Sequence, residues 1–225
     1  VGVETIIFLS GERVAFFYIN FSTIVLIITM KNYKIFRASS VIISIILISI
    51  LINFYPQSTE RIINKTVEQT GLFKKEKYVF SKEHQNHFIS GLRIFKDNKI
   101  TGAGPRMFRE LCGMKKYNLW EGCSTHPHNT YIQLLAETGL IGFLFLTMLL
   151  FYLLFQLIRH TFLKYLRKQY LFSDFQLCLI SAILISIWPL TPTGGIFNNW
   201  LNIIYFFPLG FLLKSIYSNS KDTFS

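Results

Sequence analysis

The densest group of chemically capable residues lies at positions 124–142, which read Ser-Thr-His-Pro-His-Asn-Thr-Tyr-Ile-Gln-Leu-Leu-Ala-Glu-Thr-Gly-Leu-Ile-Gly. Asn129 or Thr130 can cap a helix, and apolar or small residues follow with helical spacing. The pattern predicts a helix that runs unbroken into the apolar run beginning at residue 140. His128 then stands at the mouth of a membrane helix, where a neutral imidazole can accept a proton near neutral pH. The competing interpretation is a polar cap at the membrane interface.

Two pairs of histidines have spacings that a metal site could use. His84 and His87 are three residues apart in a polar segment, and His126 and His128 flank Pro127. Neither pair has a third ligand at a recognisable spacing. The sequence therefore predicts no metal site and no cofactor.

Two further features precede His128. The Gly102-Ala103-Gly104-Pro105 turn would let the backbone approach a ligand closely, although an ordinary loop turn has the same composition. Cys112 and Cys123 flank a ten-residue segment. A disulfide is permitted there if the segment lies outside the cytoplasm, and two free thiols are equally compatible with the sequence.

The elements that must position these residues are apolar helices. The 225-residue chain is 51% hydrophobic with a net charge of +11, and its mean hydropathy is +0.39. This combination excludes an ordinary soluble domain, a disordered chain and a disulfide scaffold. It predicts an all-α, polytopic membrane protein of about five transmembrane helices, because five runs carry no charge: 14–30, 38–55, 140–158, 175–190 and 196–213.

The charged linkers orient these helices by the positive-inside rule. Residues 1–55 are predicted to form two transmembrane helices, 56–130 one long periplasmic loop with the catalytic motifs, and 131–225 three transmembrane helices and a short cytoplasmic tail. The 191–200 hairpin has no Lys or Arg and is predicted to lie outside. The predicted cytoplasmic cations are Lys31, Lys34, Arg37, Arg159, Lys164, Arg167, Lys168, Lys214 and Lys221.

The predicted external loop is itself basic, with 13 Lys and Arg against 7 Asp and Glu. Long translocated loops escape the positive-inside rule, so this excess needs another explanation. Attraction to anionic lipid headgroups is one, and an anionic substrate such as a phosphate is the other.

The spacing around His128 resembles the signature of the O-antigen ligase family: His128-Asn129, nine residues, Gly139, two residues and Gly142. The resemblance extends over essentially the whole chain in order. It includes His126-Pro127, the run from Gln133 to Gly139, the Gly102 to Pro105 turn and Ser10-Gly11-Glu12-Arg13. Family members are larger, with about a dozen spans. The chain, which begins with Val, is therefore expected to be the C-terminal portion of such a protein.

The resemblance implies a metal-independent glycosyltransferase of the bacterial inner membrane with its active site on the periplasmic side. Such an enzyme moves a glycan from undecaprenyl diphosphate to an acceptor hydroxyl, typically of a lipid A–core sugar, among membrane lipids and without nucleic acid. His128 would be the base that deprotonates the acceptor. Arg93 and Arg13 would hold the donor diphosphate. The residues expected to contact substrate are Asn129, Gly102, Gly104, Arg106 and Gly139.

Three other functions stay open. An O-antigen polymerase and a protein-acceptor oligosaccharide transferase share the same motif. A transporter segment with a basic vestibule belongs to another class, and it would predict ionisable residues within the spans. The five uncharged runs contain none.

Overall fold

The computed structural model describes residues 1–70, 81–118 and 123–222. The regular structure in these ranges is helical, which confirms the all-α prediction. The helices are α1 Gly2–Ser10, α2 Arg13–Thr29, α3 Lys34–Phe54, α4 Pro56–Thr59, α5 Lys65–Thr70, α6 Lys82–Asp97, α7 Phe108–Leu111, α8 Thr130–Phe162, α9 Asp174–Ser186 and α10 Asn199–Asp222.

Three helices in the described ranges are long and apolar enough to cross a membrane. They are α3, α8 together with the π-helical turn that continues it to Arg167, and the Asn199–Tyr217 part of α10. Helices α2 and α9 are apolar but shorter, with 17 and 13 residues. Because a span needs roughly 17–25 residues, α9 alone is too short. The chain is a helical membrane protein, and the count of five spans stays a prediction.

Helices α8 and α9 form most of the larger apolar core of the described residues. Leucines at positions 146, 150, 153 and 157 form one buried stripe on α8, and they join the buried residues of α9 in a single core cluster. The opposite face of α8 carries Phe145 and Phe151, which are 73% and 65% exposed. An apolar face of this kind has its natural environment in lipid.

One end of this bundle is tied together by polar contacts at the end of α2. Lys164 Nζ donates to the carbonyls of Ile28 and Met30 at 2.6 and 3.0 Å. The backbone N–H groups of Lys31 and Asn32 donate to the Asp174 carboxylate at 2.9 and 3.1 Å. Lys164 lies roughly 50 Å along α8 from the start of that helix, so this end is far from His128.

The other end of α8 is broken, and the prediction of an unbroken helix is wrong there. Gly139 has φ 64° and ψ −156°, outside the helical region. Residues 99–104 insert into the break and pair with the backbone on both sides of it. The N–H groups of Ala103 and Gly104 donate to the carbonyls of Ala136 and Glu137, each at 2.9 Å, and the N–H of residue 140 donates to the Lys99 carbonyl at 2.8 Å.

Two glycines make this insertion possible. A Cβ on Gly102 would lie 2.3 Å from the carbonyl carbon of Glu137, and a Cβ on Gly139 would lie 2.3 Å from the Ile100 oxygen. Both residues also have φ near +65°, a region that glycine adopts without strain. Backbone packing therefore accounts for the glycine at each position.

Candidate active site

His128 lies in a tight turn immediately before α8, with φ 54°. The predicted cap is present: the Asn129 side-chain oxygen accepts from the N–H groups of Tyr131 and Ile132 at 3.0 and 3.1 Å. The amide nitrogen of Asn129 donates to the carbonyl of Pro189 at 2.8 Å. Both ends of this amide are thus engaged by the protein, and the contacts fix the turn that presents His128.

The segment between α9 and α10 closes over this turn. The backbone N–H of Thr193 donates to the His128 carbonyl at 2.9 Å. The Thr193 hydroxyl lies 2.9 Å from the hydroxyl of Thr130, and the Thr193 carbonyl lies 3.2 Å from His126 Nε2. The hairpin predicted to lie on the same side as the loop is therefore in direct contact with the signature.

Four histidines surround one another at this point. The ring centroid of His128 lies 4.2 Å from that of His126, 5.3 Å from that of His87 and 5.6 Å from that of His84. His84 and His87 share a face of α6, because residues three apart on a helix are neighbours. Ser81 caps α6 and also bonds the ring of His84 at 2.7 Å. Sequence spacing had linked His84 to His87 without indicating that both meet His128.

The electrostatics of the cluster favour a neutral base. Burial, followed by the proximity of the other three histidines, lowers the pKa of His128 to about 4. Burial also lowers the pKa of His126 and of His84. At neutral pH the imidazole of His128 is therefore unprotonated. Its Nε2 lies 3.1 Å from the Ser124 hydroxyl, which can donate to it.

The predicted diphosphate ligands occupy different places. Arg13 begins α2, and after burial and His87 its charge also lowers the pKa of His84. Arg93 lies six residues after His87 on α6, which is about 9 Å along the axis and on a different face. Its Nη1 donates to the Asn118 carbonyl at 3.3 Å. Arg13 therefore acts electrostatically on one ring of the cluster, whereas Arg93 lies on another face of α6.

The predicted substrate contact Arg106 instead holds the α9–α10 segment. It has φ 64°, and its Nε and Nη2 donate to the carbonyl of Phe197 at 3.3 and 2.8 Å. Gly104, with φ 106°, completes the turn before it. A guanidinium has five donors, so Arg106 retains donors beyond those used for this clamp.

A buried carboxylate that the sequence analysis did not single out connects the walls of the site. Glu137 is fully buried. Its two oxygens accept from the Phe108 N–H and from Gln133 Nε2, both at 2.9 Å. The side-chain oxygen of Gln133 accepts from the Ile196 N–H, also at 2.9 Å. The i, i+4 spacing of Gln133 and Glu137 next to the signature is the signal that could have indicated this link.

Of the two states that the sequence allows for the loop cysteines, the structure has the disulfide. Cys112 and Cys123 are bonded, with their Cα atoms 4.9 Å apart. Cys112 is buried in a small core with Ile94, Phe108 and Tyr117. The bond therefore anchors the chain immediately before Ser124, the hydrogen-bond partner of His128.

In the described part of the chain, no group of three or more His, Cys, Asp or Glu side chains has a geometry that could hold a metal ion. This includes the four histidines, in which the rings of His84, His87 and His126 are inclined by 39–83° to the ring of His128. Independence from metal stays a prediction of the family resemblance.

Comparison with known proteins identifies the family. The family model described as O-antigen ligase matches residues 3–147, more than half of the chain. No curated protein and no solved structure matches the chain. The matched range contains all four histidines of the cluster, the Gly102–Gly139 contact and the complete signature, whereas the segment between α9 and α10 lies beyond it. The chain therefore belongs to the O-antigen ligase family.

Proposed function

We propose that this protein transfers a glycan from a polyprenyl-diphosphate donor to an acceptor hydroxyl, with His128 as the general base. The observation that carries the proposal is the state of His128 itself. It lies in the range that matches the family, it is half-buried at the start of a membrane helix, and its pKa of about 4 keeps it neutral. A neutral imidazole has a lone pair that can accept the proton, and its lowered pKa makes it a weaker base than an ordinary histidine.

In the proposed reaction the acceptor hydroxyl approaches Nε2 of His128, the position that Ser124 now bonds. His128 takes the hydroxyl proton as the acceptor oxygen forms a bond to the anomeric carbon. The bond between that carbon and the diphosphate oxygen breaks, and the diphosphate leaves with the electron pair. A positioned base of this kind typically contributes about 10²–10⁴-fold to the rate.

The leaving diphosphate needs positive charge, and Arg13 supports this role best. Its charge acts on His84, whose ring centroid lies 5.6 Å from that of His128. A guanidinium binds phosphate oxygens through two parallel hydrogen bonds and stabilises the charge that develops on them. The proposal keeps the role predicted for Arg93. That role requires the glycan-donor diphosphate to extend to another face of α6.

The donor lipid is proposed to be undecaprenyl diphosphate, the acceptor a lipid A–core sugar, and the location the periplasmic face of the bacterial inner membrane. Support comes from the resemblance, from the basic loop and from the cations gathered at the opposite end of α8. Deletion of the gene should cause full-length lipid-linked glycan to accumulate if the protein is a ligase. A polymerase would leave single repeat units, and a protein-acceptor transferase would leave an unglycosylated protein.

The central test replaces His128 and, as a matched control, the adjacent His126. Transfer from lipid-linked glycan is measured in membranes that contain each variant at equal levels. His128→Gln is expected to lose about 10²–10⁴-fold in rate, while His126→Gln should lose much less, because its Nε2 already bonds the Thr193 carbonyl. Wild-type transfer by His128→Gln would exclude the proposed base. Loss of activity with EDTA and recovery with zinc would mean that the histidines bind metal instead.

The proposed location has an independent test. Single cysteines at Asn118 and Asn32 should react differently with an impermeant thiol reagent applied to intact spheroplasts. Both positions are exposed, but Asn118 contacts Arg93 on α6, whereas Asn32 contacts Asp174 at the start of α9. Labelling at Asn118 and protection at Asn32 is the expected pattern. The reverse pattern would put His128 in the cytoplasm and contradict the proposed substrates.

A further inference from the structure

A polar cleft of about 450 Å³ lies beside the histidine cluster, and neither His84 nor Arg13 belongs to its lining. Its volume falls within the range of about 300–1,000 Å³ that is usual for small-molecule sites. His126 forms part of its lining, and the ring of His126 is 4.2 Å from that of His128. A ligand bound in the cleft would therefore lie next to the proposed base.

One wall of the cleft is the segment 195–200, which is preformed by its own hydrogen bonds. The N–H of Asn198 donates to the Gly195 carbonyl at 3.0 Å, and the Asn198 side chain accepts from the N–H of Trp200 at 3.1 Å. Two hydrogen bonds fix the segment to the site. The Ile196 N–H donates to the side-chain oxygen of Gln133, and Arg106 donates to the carbonyl of residue 197. This wall lies outside the family match, which ends at residue 147.

The chemistry of the lining fits a saccharide. Trp200 stands at the rim with 78% of its surface exposed, available to stack on the apolar face of a sugar ring. The side chains of Asn199 and Thr125 can exchange hydrogen bonds with sugar hydroxyls. Aromatic and amide side chains together provide the mixture of apolar and polar contacts that fixes the orientation of a small ligand.

The charge of the lining indicates an acidic ligand. Arg106 and Arg109 both line the cleft, and among the described residues neither has a carboxylate within 4 Å. Arg109 is exposed, and its charge acts on His126. Two arginines that have no carboxylate within 4 Å in the described part of the chain favour a phosphate or carboxylate group, which a guanidinium binds through paired hydrogen bonds.

We propose that this cleft binds the acceptor saccharide, with Trp200 as the stacking surface and Arg109 as the residue that selects acceptors carrying a phosphate or a carboxylate. That the ligand is the acceptor rests on the proposed function, since it follows from the nearness of the cleft to His128. The acceptor then approaches His128 past His126, and the donor approaches past His84.

Binding is tested without turnover by calorimetric titration of the purified protein with three disaccharides of equal size. One is neutral, one carries a phosphate monoester and one carries a uronate carboxylate. Arg109→Gln is expected to weaken the preferred acidic disaccharide by about 10- to 100-fold, the effect of losing a charge-assisted hydrogen bond, and to leave the neutral one unchanged. Arg109→Lys should recover part of the loss, because it keeps the charge but not the fork.

Two further variants complete the titration. Lys115→Gln removes one charge from the same loop outside the cleft and should bind all three sugars as the wild type does. Trp200→Ala should weaken all three equally. If Arg109→Gln binds the acidic sugars normally, or if Trp200→Ala leaves every sugar unaffected, the inference is wrong. The preference of the wild type between the two acidic probes identifies phosphate or carboxylate as the group that is bound.

The failure of this inference and the failure of the proposed function are distinguishable. In the transfer assay, Arg109→Gln should raise KM for an acidic acceptor and leave KM for the lipid donor unchanged. If the wild-type enzyme is active and Arg109→Gln has a normal KM for the acceptor, the cleft does not bind the acceptor. The proposed role of His128 would be unaffected by that result. If the wild-type protein binds the acidic sugars selectively but transfers no glycan, the cleft is a saccharide site and the proposed reaction is wrong.

Discussion

Replacing Gly102 by Ala should disrupt the support of the active site, and Gly11→Ala is its matched control. The two glycines have the same φ of 69°. A Cβ on Gly102 would lie 2.3 Å from backbone atoms of both Glu137 and Thr138, which cannot move without breaking the contact. A Cβ on Gly11 would meet only the side chain of Arg61, at 3.1 Å, and that flexible chain can shift.

The magnitude follows from these two differences. The positive φ costs an alanine about 1–2 kcal/mol at either position. At Gly102 the inserted loop must also withdraw from the break in α8 and lose the three backbone hydrogen bonds at 2.8–2.9 Å that join them. At about 1 kcal/mol each, these add about 3 kcal/mol. We expect a loss of about 4–5 kcal/mol for Gly102→Ala against about 1–2 kcal/mol for Gly11→Ala.

The assay is thermal unfolding of both variants in the same detergent, followed by tryptophan fluorescence. For a chain of this size, 1 kcal/mol corresponds to about 2–4 °C in the midpoint, so the variants should differ by about 6–12 °C. Gly102→Ala should also lose glycan transfer, because the start of α8 carries the turn of His128. Equal midpoints for the two variants would show that the loop does not depend on close backbone contact at Gly102.

Three further predictions concern the site. Burial and the neighbouring histidines lower the pKa of His128 to about 4. The value of kcat/KM for transfer should therefore stay constant from pH 8 to 6 and fall only as the pH approaches 4, where the base becomes protonated. A fall with its midpoint near pH 6.5 would contradict the described environment. Arg13→Gln should raise the donor KM by about 10- to 100-fold and more than Arg93→Gln does, and the opposite order would move the donor to the other face of α6. Alkylation without reductant, followed by mass spectrometry, should find Cys112 and Cys123 unmodified. Reduction of the bond should lower the free energy of unfolding by roughly 2–3 kcal/mol. Modification of both cysteines before reduction would exclude the disulfide.

The sequence alone determined the features that depend on local order. Long uncharged runs become helices because only a helix satisfies its own backbone in lipid, and α3, α8 and α10 follow from this. The cap at Asn129 was predictable because its side-chain oxygen accepts from N–H groups only two and three residues later in the chain. His128 was identified as a candidate for the same reason, since the signature is a spacing within a single segment.

The tertiary structure decided which separate segments meet. The helical pattern continues through Gly139, so the break in α8 became visible only with residues 99–104 packed into it. His84 and His87 reach His128 from more than forty residues away, and Arg93 shares their helix but faces elsewhere. Side-chain periodicity specifies the faces of one helix and not the partner of each face. The packing of α6, α8 and the α9–α10 segment makes that choice, and it also creates the cleft beside the proposed base.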